Sequence, residues 1–151
     1  MCGIFGAVHV RLSEHKAMQC LNQLEHRGPD GFGLWQKDGV TLGHRRLAIL
    51  DLSDNGTQPM SYAEGRYQLV YNGEIYNFLE IRRELLQKGY VFKSETDSEV
   101  ILAAFMEWKE DCQNHFNGMW AFAIWDCQTK RLFLRRDRFG VKPLYYAILP
   151  D

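Results

Sequence analysis

The sequence predicts an α+β fold in which antiparallel sheets stack against each other and helices cover their outer faces. The predicted strands come in runs joined by hairpins, whereas a parallel fold would alternate each strand with a helix. Two of the strands are apolar on both faces, which is typical of strands covered on both sides. The predicted helices repeat apolar residues at spacings of three and four, as expected for helices that dock on a sheet. We therefore favour stacked antiparallel sheets over a parallel Rossmann arrangement.

Five segments have the residue pattern of β-strands. Residues 2–9 and 119–125 place apolar side chains on both faces, so we expect buried strands there. In residues 40–50 and 66–71, apolar positions alternate with their neighbours. Residues 132–134 follow a short turn and should form a hairpin with the strand before them.

Three helices are predicted from capping residues and apolar stripes. The first begins at the capping residue Ser13, runs to about Leu24 and places Cys20 on its apolar face. The second ends at Gly89, where glycine favours a helix stop. The third begins at the capping box of residues 96–99.

Composition and charge limit the classes of function. The chain has 151 residues, a size that suits one domain, and its 46% apolar and 25% charged residues are typical of a folded globular protein. The formal net charge of -1 gives no global attraction to nucleic acid or to an acidic membrane, and it suits a small neutral or zwitterionic ligand. No stretch approaches the ~20 apolar residues of a membrane span, and no basic region precedes the first apolar run. We expect a cytoplasmic protein that binds neither nucleic acid nor membrane.

Two groups of side chains carry less information than their chemistry suggests. The four cysteines are far apart and form no C-x-x-C pair, so we expect reduced thiols, no disulfide framework and no metal site. A basic cluster near the C-terminal end is interpreted as a solvated strand edge rather than a nucleic-acid surface. It consists of Lys130, Arg131, Arg135, Arg136, Arg138 and Lys142.

Cys2 is the first candidate for chemistry. If Met1 is removed, Cys2 carries both a thiol and a free α-amine, whose reference pKa values are ~8.5 and ~7.7–8.0. Near neutral pH the amine can take the thiol proton, so one residue supplies both nucleophile and base. A cysteine in this position can equally be a small apolar residue of a strand. The residue itself leaves both interpretations open.

Two further residue sets suit an amide substrate that is also an amino acid. The side chain of Asn72 and the backbone N–H of Gly73 are suitable donors to a developing oxyanion, although Asn-Gly is also a strong turn signal. Arg46 can hold an α-carboxylate with two hydrogen bonds, and Asp97 can accept from an ammonium group. The alternatives for this second pair are a surface ion pair and a charge at a helix start.

Five motifs in order along nearly the whole chain resemble the class II glutamine amidotransferase domain of glutamine-dependent asparagine synthetases. The motifs are Cys-Gly-Ile-Phe-Gly at 2–6, His-Arg-Gly-Pro-Asp at 26–30, His-Arg-Arg-Leu at 44–47, Asn-Gly-Glu-Ile-Tyr-Asn at 72–77 and the stretch from Asp137 to Tyr146. Pro29 and the Ile-Tyr-Asn at 75–77 favour this branch over the glucosamine-phosphate synthase and amidophosphoribosyltransferase branches.

The resemblance implies an N-terminal-nucleophile hydrolase fold in four αββα layers. It implies that Cys2 attacks the side-chain amide of L-glutamine, that Asn72 and Gly73 form the oxyanion hole, and that the products are glutamate and ammonia. Arg46 would hold the substrate carboxylate, while Glu74 and Asp97 would contact the ammonium group. The full set of implied substrate-binding residues is Arg46, Ile49, Leu50, Asn72, Gly73, Glu74 and Asp97.

The resemblance also sets expectations about domains and partners. Residues 1–151 should form the glutaminase domain, incomplete at its C-terminal end, with the synthetase domain absent. No Ser-Gly-Gly-x-Asp-Ser loop occurs here, so no cofactor is expected on this chain, and ATP and Mg²⁺ would belong only to the synthetase domain. The expected partners are L-glutamine, a synthetase domain or acceptor protein that receives ammonia, and a second copy in a homodimer.

Two rival functions stay open at this point. The domain can bind glutamine, or be a remnant, without catalysing its hydrolysis. It can also be an N-terminal-cysteine hydrolase of another amide, although a pair such as Arg46 and Asp97 favours a free amino acid.

Overall fold

A computed structural model of the protein describes residues 1–49 and 53–149. Seven strands and three α-helices lie in this part of the chain. The strands are β1 (Gly3–Val8), β2 (Gly31–Lys37), β3 (Val40–Arg46), β4 (Met60–Tyr62), β5 (Tyr67–Ile75), β6 (Gly118–Asp126) and β7 (Arg131–Arg136). The helices are α1 (Glu14–Asn22), α2 (Phe78–Gln87) and α3 (Asp97–Trp108). Short 3₁₀ turns occupy Glu25–Arg27, Asp54–Gly56 and Lys109–His115.

The strands form two antiparallel sheets that pack face to face. The first sheet has the order β1-β3-β2, and the second has the order β4-β5-β6-β7. Helix α1 packs on the first sheet, while α3 packs on the second and carries α2 beside it. The layers are therefore helix, sheet, sheet and helix, and the predicted α+β sandwich of antiparallel sheets with outer helices is confirmed.

Two apolar layers hold the sandwich together. Between the sheets, Val40 and Leu42 of β3 face Val70 of β5 and the β6 residues Ala123 and Trp125. The larger layer lies between the second sheet and its helices, where every residue of α3 from Asp97 to Phe105 is buried. Such burial accounts for the nearly continuous apolar sequence of α3, which would be unfavourable on a solvent-facing helix.

Several predicted strand boundaries were wrong, and two strands were missed. The strand predicted at 66–71 continues to Ile75, so Asn72 and Gly73 lie inside β5 and do not form a turn. The strand predicted at 40–50 ends at Arg46, and Leu50 lies outside the described residues. Strands β2 and β4 were not predicted. In β2, glycine obscures the strand pattern, but a Cβ on Gly33 would lie 2.1 Å from the carbonyl oxygen of Gln58. The close approach of these two backbones therefore requires glycine.

The prediction for the first helix needs two corrections. The helix ends at Asn22, and the chain continues into the 3₁₀ turn at Glu25–Arg27. Ala17 and Leu21 are its fully buried positions, whereas Cys20 is exposed. The helix touches its sheet along a narrower stripe than the sequence indicated.

Among the described residues, no helix is both long and apolar enough to cross a membrane.

An ion pair closes the hairpin of β6 and β7 against the start of β5. Arg66 Nη2 lies 2.9 Å from Asp126 Oδ2, and Arg66 Nε lies 3.2 Å from Oδ1. The backbone N–H of Gln128 also donates to Asp126 Oδ1 at 2.9 Å. Burial raises the pKa of Asp126, but these hydrogen bonds outweigh it and lower the pKa to about 2.

Replacing Asp126 with Asn should therefore destabilise the fold at neutral pH and have little effect in acid. The folded pKa lies below the ordinary value of 3.8, so the carboxylate stabilises the fold above about that pH and loses this effect as the pH falls toward 2. Urea unfolding midpoints of wild type and Asp126→Asn should differ at pH 7 and converge near pH 2. Asp38→Asn, which removes an exposed ion pair to Lys130, should change the midpoint little at either pH. An Asp126→Asn deficit that persists undiminished at pH 2 would contradict this account.

Candidate active site

A cavity of about 160 Å³ opens where the two sheets and helix α3 meet. The first sheet contributes the start of β1 and the end of β3, the second contributes β5, and α3 contributes its first turn. Seven of the residues proposed from the sequence line this cavity, namely Cys2, Arg46, Ile49, Asn72, Gly73, Glu74 and Asp97. The eighth, Leu50, lies outside the described residues. The fold thus brings together groups separated by as many as 95 positions in sequence.

Cys2 lies at the N-terminal end of β1 and is half-buried. Its Sγ is 3.4 Å from the backbone nitrogen of Leu47 and 3.8 Å from the Leu47 carbonyl oxygen. The Arg27 side chain donates from Nε to the carbonyl oxygen of Cys2 at 3.1 Å. The thiol is therefore fixed against the segment that follows β3, and its backbone is fixed by the turn after α1.

Asn72 and Gly73 lie side by side on β5 at the cavity wall. Asn72 is only 4% exposed and lines the cavity. An amide at the wall of a cavity can donate a hydrogen bond to a ligand bound there. A Cβ on Gly73 would lie 2.3 Å from the carbonyl oxygen of Met119 in β6, so this position requires glycine.

Arg46 lies at the end of β3, and its Nη1 donates to the carbonyl oxygen of Ser53 at 2.8 Å. Gly56 provides space for the guanidinium, since a Cβ there would lie 2.5 Å from Arg46 Nη2. Asp97 lines the same cavity, is the first residue of α3 and is 5% exposed. Burial of Asp97 rules out the alternative of a surface ion pair.

The carboxylate of Asp97 is held by groups from β5. Its Oδ2 accepts from the Tyr71 hydroxyl at 2.7 Å and from the Ile75 backbone N–H at 3.0 Å. Burial raises the pKa of Asp97, and the hydrogen bonds from Tyr71 and Ile75 oppose this shift. The result is a buried acidic group in the same cavity as a guanidinium. One cation and one anion in a single cavity suit a zwitterionic ligand such as a free amino acid.

Comparison with known families fits this geometry. A family model described as the glutamine amidotransferase domain matches residues 1–151. The chain belongs to this family. The match covers the whole chain, so every element that lines the cavity is part of the amidotransferase domain.

Similar proteins include several glutamine-hydrolyzing asparagine synthetases. Asparagine synthetase 3 of Bacillus subtilis strain 168 is 43% identical over 97% of this chain, and asparagine synthetase 1 of the same strain is 41% identical over all of it. Asparagine synthetase B of Escherichia coli K12 is 36% identical over 96%. The chain spans about a quarter of the length of these relatives, between 25% and 26%.

A solved structure confirms the fold of the amidotransferase domain. The glutamine phosphoribosylpyrophosphate amidotransferase of Bacillus subtilis superposes with a TM-score of 0.79 over 93% of this chain and 38% of its own. The sequence identity is only 18%, so this likeness concerns the fold alone.

Three residues that line the cavity, Tyr71, Gln58 and His44, were not among those proposed from the sequence. Tyr71 holds Asp97 through its hydroxyl, and its own backbone N–H donates to Gln58 Oε1 at 2.6 Å. His44, which is 1% exposed, contacts the Tyr71 carbonyl oxygen through Nε2 at 3.2 Å. Burial lowers the pKa of His44 to about 4, so the ring is neutral and its Nε2–H is the donor. Alternation in the strand at 66–71 identified Tyr71 only as an apolar position.

Two further residues define the opening of the cavity. Glu74 is exposed, so it lies where a ligand would enter rather than at the bottom. Ile49 is 74% exposed and lines the same opening.

Within the described ranges, no group of three or more His, Cys, Asp or Glu side chains is arranged to hold a metal ion.

Lys142 corrects the interpretation of the basic cluster as a solvated edge. Five of the six cationic residues lie on or near the edge strand β7, but Lys142 is only 4% exposed and lines the cavity. Its Nζ donates to the sulfur atom of Met1 at 2.9 Å. The sequence reasoning grouped these residues by charge and could not see that the chain turns back toward Cys2 after β7.

Proposed function

We propose that Cys2 is the N-terminal nucleophile with which this amidotransferase domain hydrolyses the side-chain amide of L-glutamine to glutamate and ammonia. The observation that carries the proposal is the convergence of a thiol, a nearly buried amide and a pair of opposite charges in one small cavity. Removal of Met1 is part of the proposal, because only then is the α-amine of Cys2 available as a base.

In the first step, the α-amine of Cys2 takes the thiol proton and the thiolate attacks the carbonyl carbon of the amide. The negative charge that develops on the amide oxygen is stabilised by the Asn72 side chain and the Gly73 backbone N–H. The C–N bond then breaks, and the leaving nitrogen takes a proton from the α-ammonium to depart as ammonia. Water hydrolyses the resulting thioester, which releases glutamate and restores the thiol.

We assign substrate recognition to the charged side chains that line the cavity. Arg46 binds the α-carboxylate, while Asp97 at depth and Glu74 at the opening bind the α-ammonium group. The backbone through Ile49 and Leu50 is proposed to line the side of the site. A substrate acylated on its α-nitrogen would leave the buried Asp97 without a cationic partner, which argues against hydrolysis of another class of amide.

The relatives suggest where the ammonia goes. They carry the name asparagine synthetase, so we infer that ammonia from this site serves a synthetase domain or acceptor protein. The proposed glutamine hydrolysis needs no cofactor, because nucleophile, base and oxyanion donors are all protein groups. ATP and Mg²⁺ would act at the synthetase site. Pairing of two copies into a homodimer stays a prediction, which a measurement of molecular mass in solution would check.

Cys2→Ala should abolish glutamine hydrolysis while leaving the fold and glutamine binding largely intact. Cys127→Ala is a matched control, because Cys127 is also half-buried but lies after β6 outside the cavity. The experiment measures ammonia release from glutamine on protein whose loss of Met1 has been confirmed by intact mass. Equal loss of turnover in a folded Cys127→Ala variant would sink the assignment. Wild type that lacks Met1 and binds glutamine without releasing ammonia would establish the non-catalytic alternative.

Asn72→Ala should lower kcat by roughly 10²–10³, because one donor to the developing oxyanion is lost. Glutamine affinity should change much less, since Arg46 and Asp97 carry recognition of the ground state. Steady-state kinetics with an independent binding measurement separates these effects, and Asn114→Ala removes an exposed amide outside the cavity as a control. A variant that binds glutamine weakly but turns it over at the normal rate would move Asn72 from catalysis to recognition.

Asp97→Asn should weaken glutamine binding by roughly ten- to hundredfold, since a lost charge-assisted contact costs about 1.5–3 kcal/mol. The variant keeps the shape of the side chain and removes its charge. Comparing glutamine with its α-N-acetylated form gives the test, because the acetylated compound lacks the ammonium charge. Wild type should bind glutamine much more tightly than the acetylated form. The ratio of these two affinities should be smaller in Asp97→Asn. An unchanged preference would show that Asp97 serves only the start of α3.

A further inference from the structure

Lys142 is a buried cation for which the proposed reaction has no role. It lies on the segment after β7, whose backbone is organised around the carboxylate of Asp137. The backbone N–H groups of Val141 and Lys142 each donate to Asp137 at 2.9 Å, and Arg136 Nε donates to the Lys142 carbonyl oxygen at 2.7 Å. The Asp137 carboxylate is tied in turn to Trp120 of β6. The position of Lys142 is therefore fixed by the second sheet.

The partner of the Lys142 ammonium is a poor one. Its Nζ lies 2.9 Å from the sulfur atom of Met1, and a thioether is only a weak acceptor. In residues 1–49 and 53–149, its side chain forms no ion pair with a carboxylate. Burial of an ammonium group is costly without an anionic or strongly polar partner. Removal of Met1 would take away even this contact.

We propose that Lys142 is an electrostatic partner of the N-terminal residue and that, once Met1 is removed, its buried ammonium favours the deprotonated forms of the Cys2 thiol and α-amine. Met1 is bonded directly to the nitrogen of Cys2, its sulfur atom contacts Lys142, and all three residues line one cavity. After removal of Met1, the positive charge and the new amino terminus share that cavity. A nearby cation disfavours an ammonium and favours a thiolate, so the coupled pair loses protons at lower pH.

Other charged and titratable groups also face Cys2. They are Arg27 from the turn after α1, His44 and Arg46 from β3, Tyr71 and Glu74 from β5, and Asp97 from α3. His44 is neutral above about pH 4, and the two arginines stay charged at every pH of interest. The contribution of Lys142 must therefore be measured as the difference between variants in which all these groups are retained.

The test measures the reactivity of the Cys2 thiol and needs no glutamine. Its result therefore does not depend on glutamine hydrolysis, although the inferred role of Lys142 rests on the proposed function. Protein with Met1 removed is alkylated with iodoacetamide at a series of pH values, and mass spectrometry of peptides gives a separate rate for each cysteine. Lys142→Met should raise the midpoint pH of Cys2 alkylation by about one unit. Lys142→Arg should keep the wild-type midpoint, because it keeps the charge. Exposed Cys20 is an internal reference whose midpoint should not move.

Lys130→Met is the matched control, because it removes an exposed lysine that is paired with Asp38 outside the cavity. It should leave the Cys2 midpoint unchanged. A Cys2 midpoint in folded Lys142→Met equal to that of wild type would overturn the proposal. If Lys142→Met does not fold, Lys142→Gln takes its place in the same comparison, and a Cys2 midpoint in this variant equal to that of wild type would also overturn the proposal. If Lys142→Met shifts the midpoint pH of Cys2 alkylation as expected but the wild-type protein does not hydrolyse glutamine, only the proposed function is contradicted.

Discussion

The buried carboxylate of Asp97 joins helix α3 to strand β5, and the geometry of the site depends on this contact. The Tyr71 hydroxyl and the Ile75 N–H both donate to the same oxygen, so the first turn of the helix is tied to β5 on either side of Asn72 and Gly73. Burial of a carboxylate is unfavourable, and hydrogen bonds to its charged form must offset that cost. Any displacement of the helix would leave a buried charge without donors. The contact therefore fixes the Asp97 carboxylate relative to Asn72 and Gly73, the proposed oxyanion donors.

Tyr71 extends this contact to the other elements of the site. Its backbone N–H donates to Gln58, whose amide nitrogen donates to Ser98 in the first turn of α3 at 3.1 Å. Its carbonyl oxygen accepts from the neutral ring of His44 in the first sheet. Thus one residue of β5 is bonded through its backbone and side chain to both sheets and to the helix. A buried hydrogen-bond network of this kind favours one arrangement of the packed layers.

How far the sequence predicted the site follows from the nature of each signal. Cys2, Arg46 and Asp97 carry chemistry that charge and residue type reveal, and seven of the eight proposed residues line one cavity. The roles of Tyr71 and His44 depend on which strands face each other across the sandwich. These two residues are 27 positions apart, and local patterns hold no information about that pairing.

The errors in secondary structure have a related origin. Gly33 weakens the strand signal of β2 and Gly73 resembles a turn, yet both are required because another backbone passes within contact distance. Lys142 was assigned to a solvated edge because it was grouped by charge with the cationic residues near it in the sequence. Hydrogen bonds to Asp137, which turn the chain back into the cavity, reversed that expectation. Sequence patterns thus failed where tertiary contacts set the environment of a residue.

The candidate nucleophile and the proposed oxyanion donors belong to different sheets. Cys2 precedes β1 of the first sheet, while Asn72 and Gly73 lie on β5 of the second, and the layer of Val40, Leu42 and Val70 sets the spacing between them. Neither sheet alone holds the complete site. Selection for activity should therefore constrain the volume of side chains in this layer more tightly than stability alone requires, even though none of these three residues lines the cavity. Amino-acid sequence would then vary more within the family at positions beneath the outer helices than at positions between the two sheets.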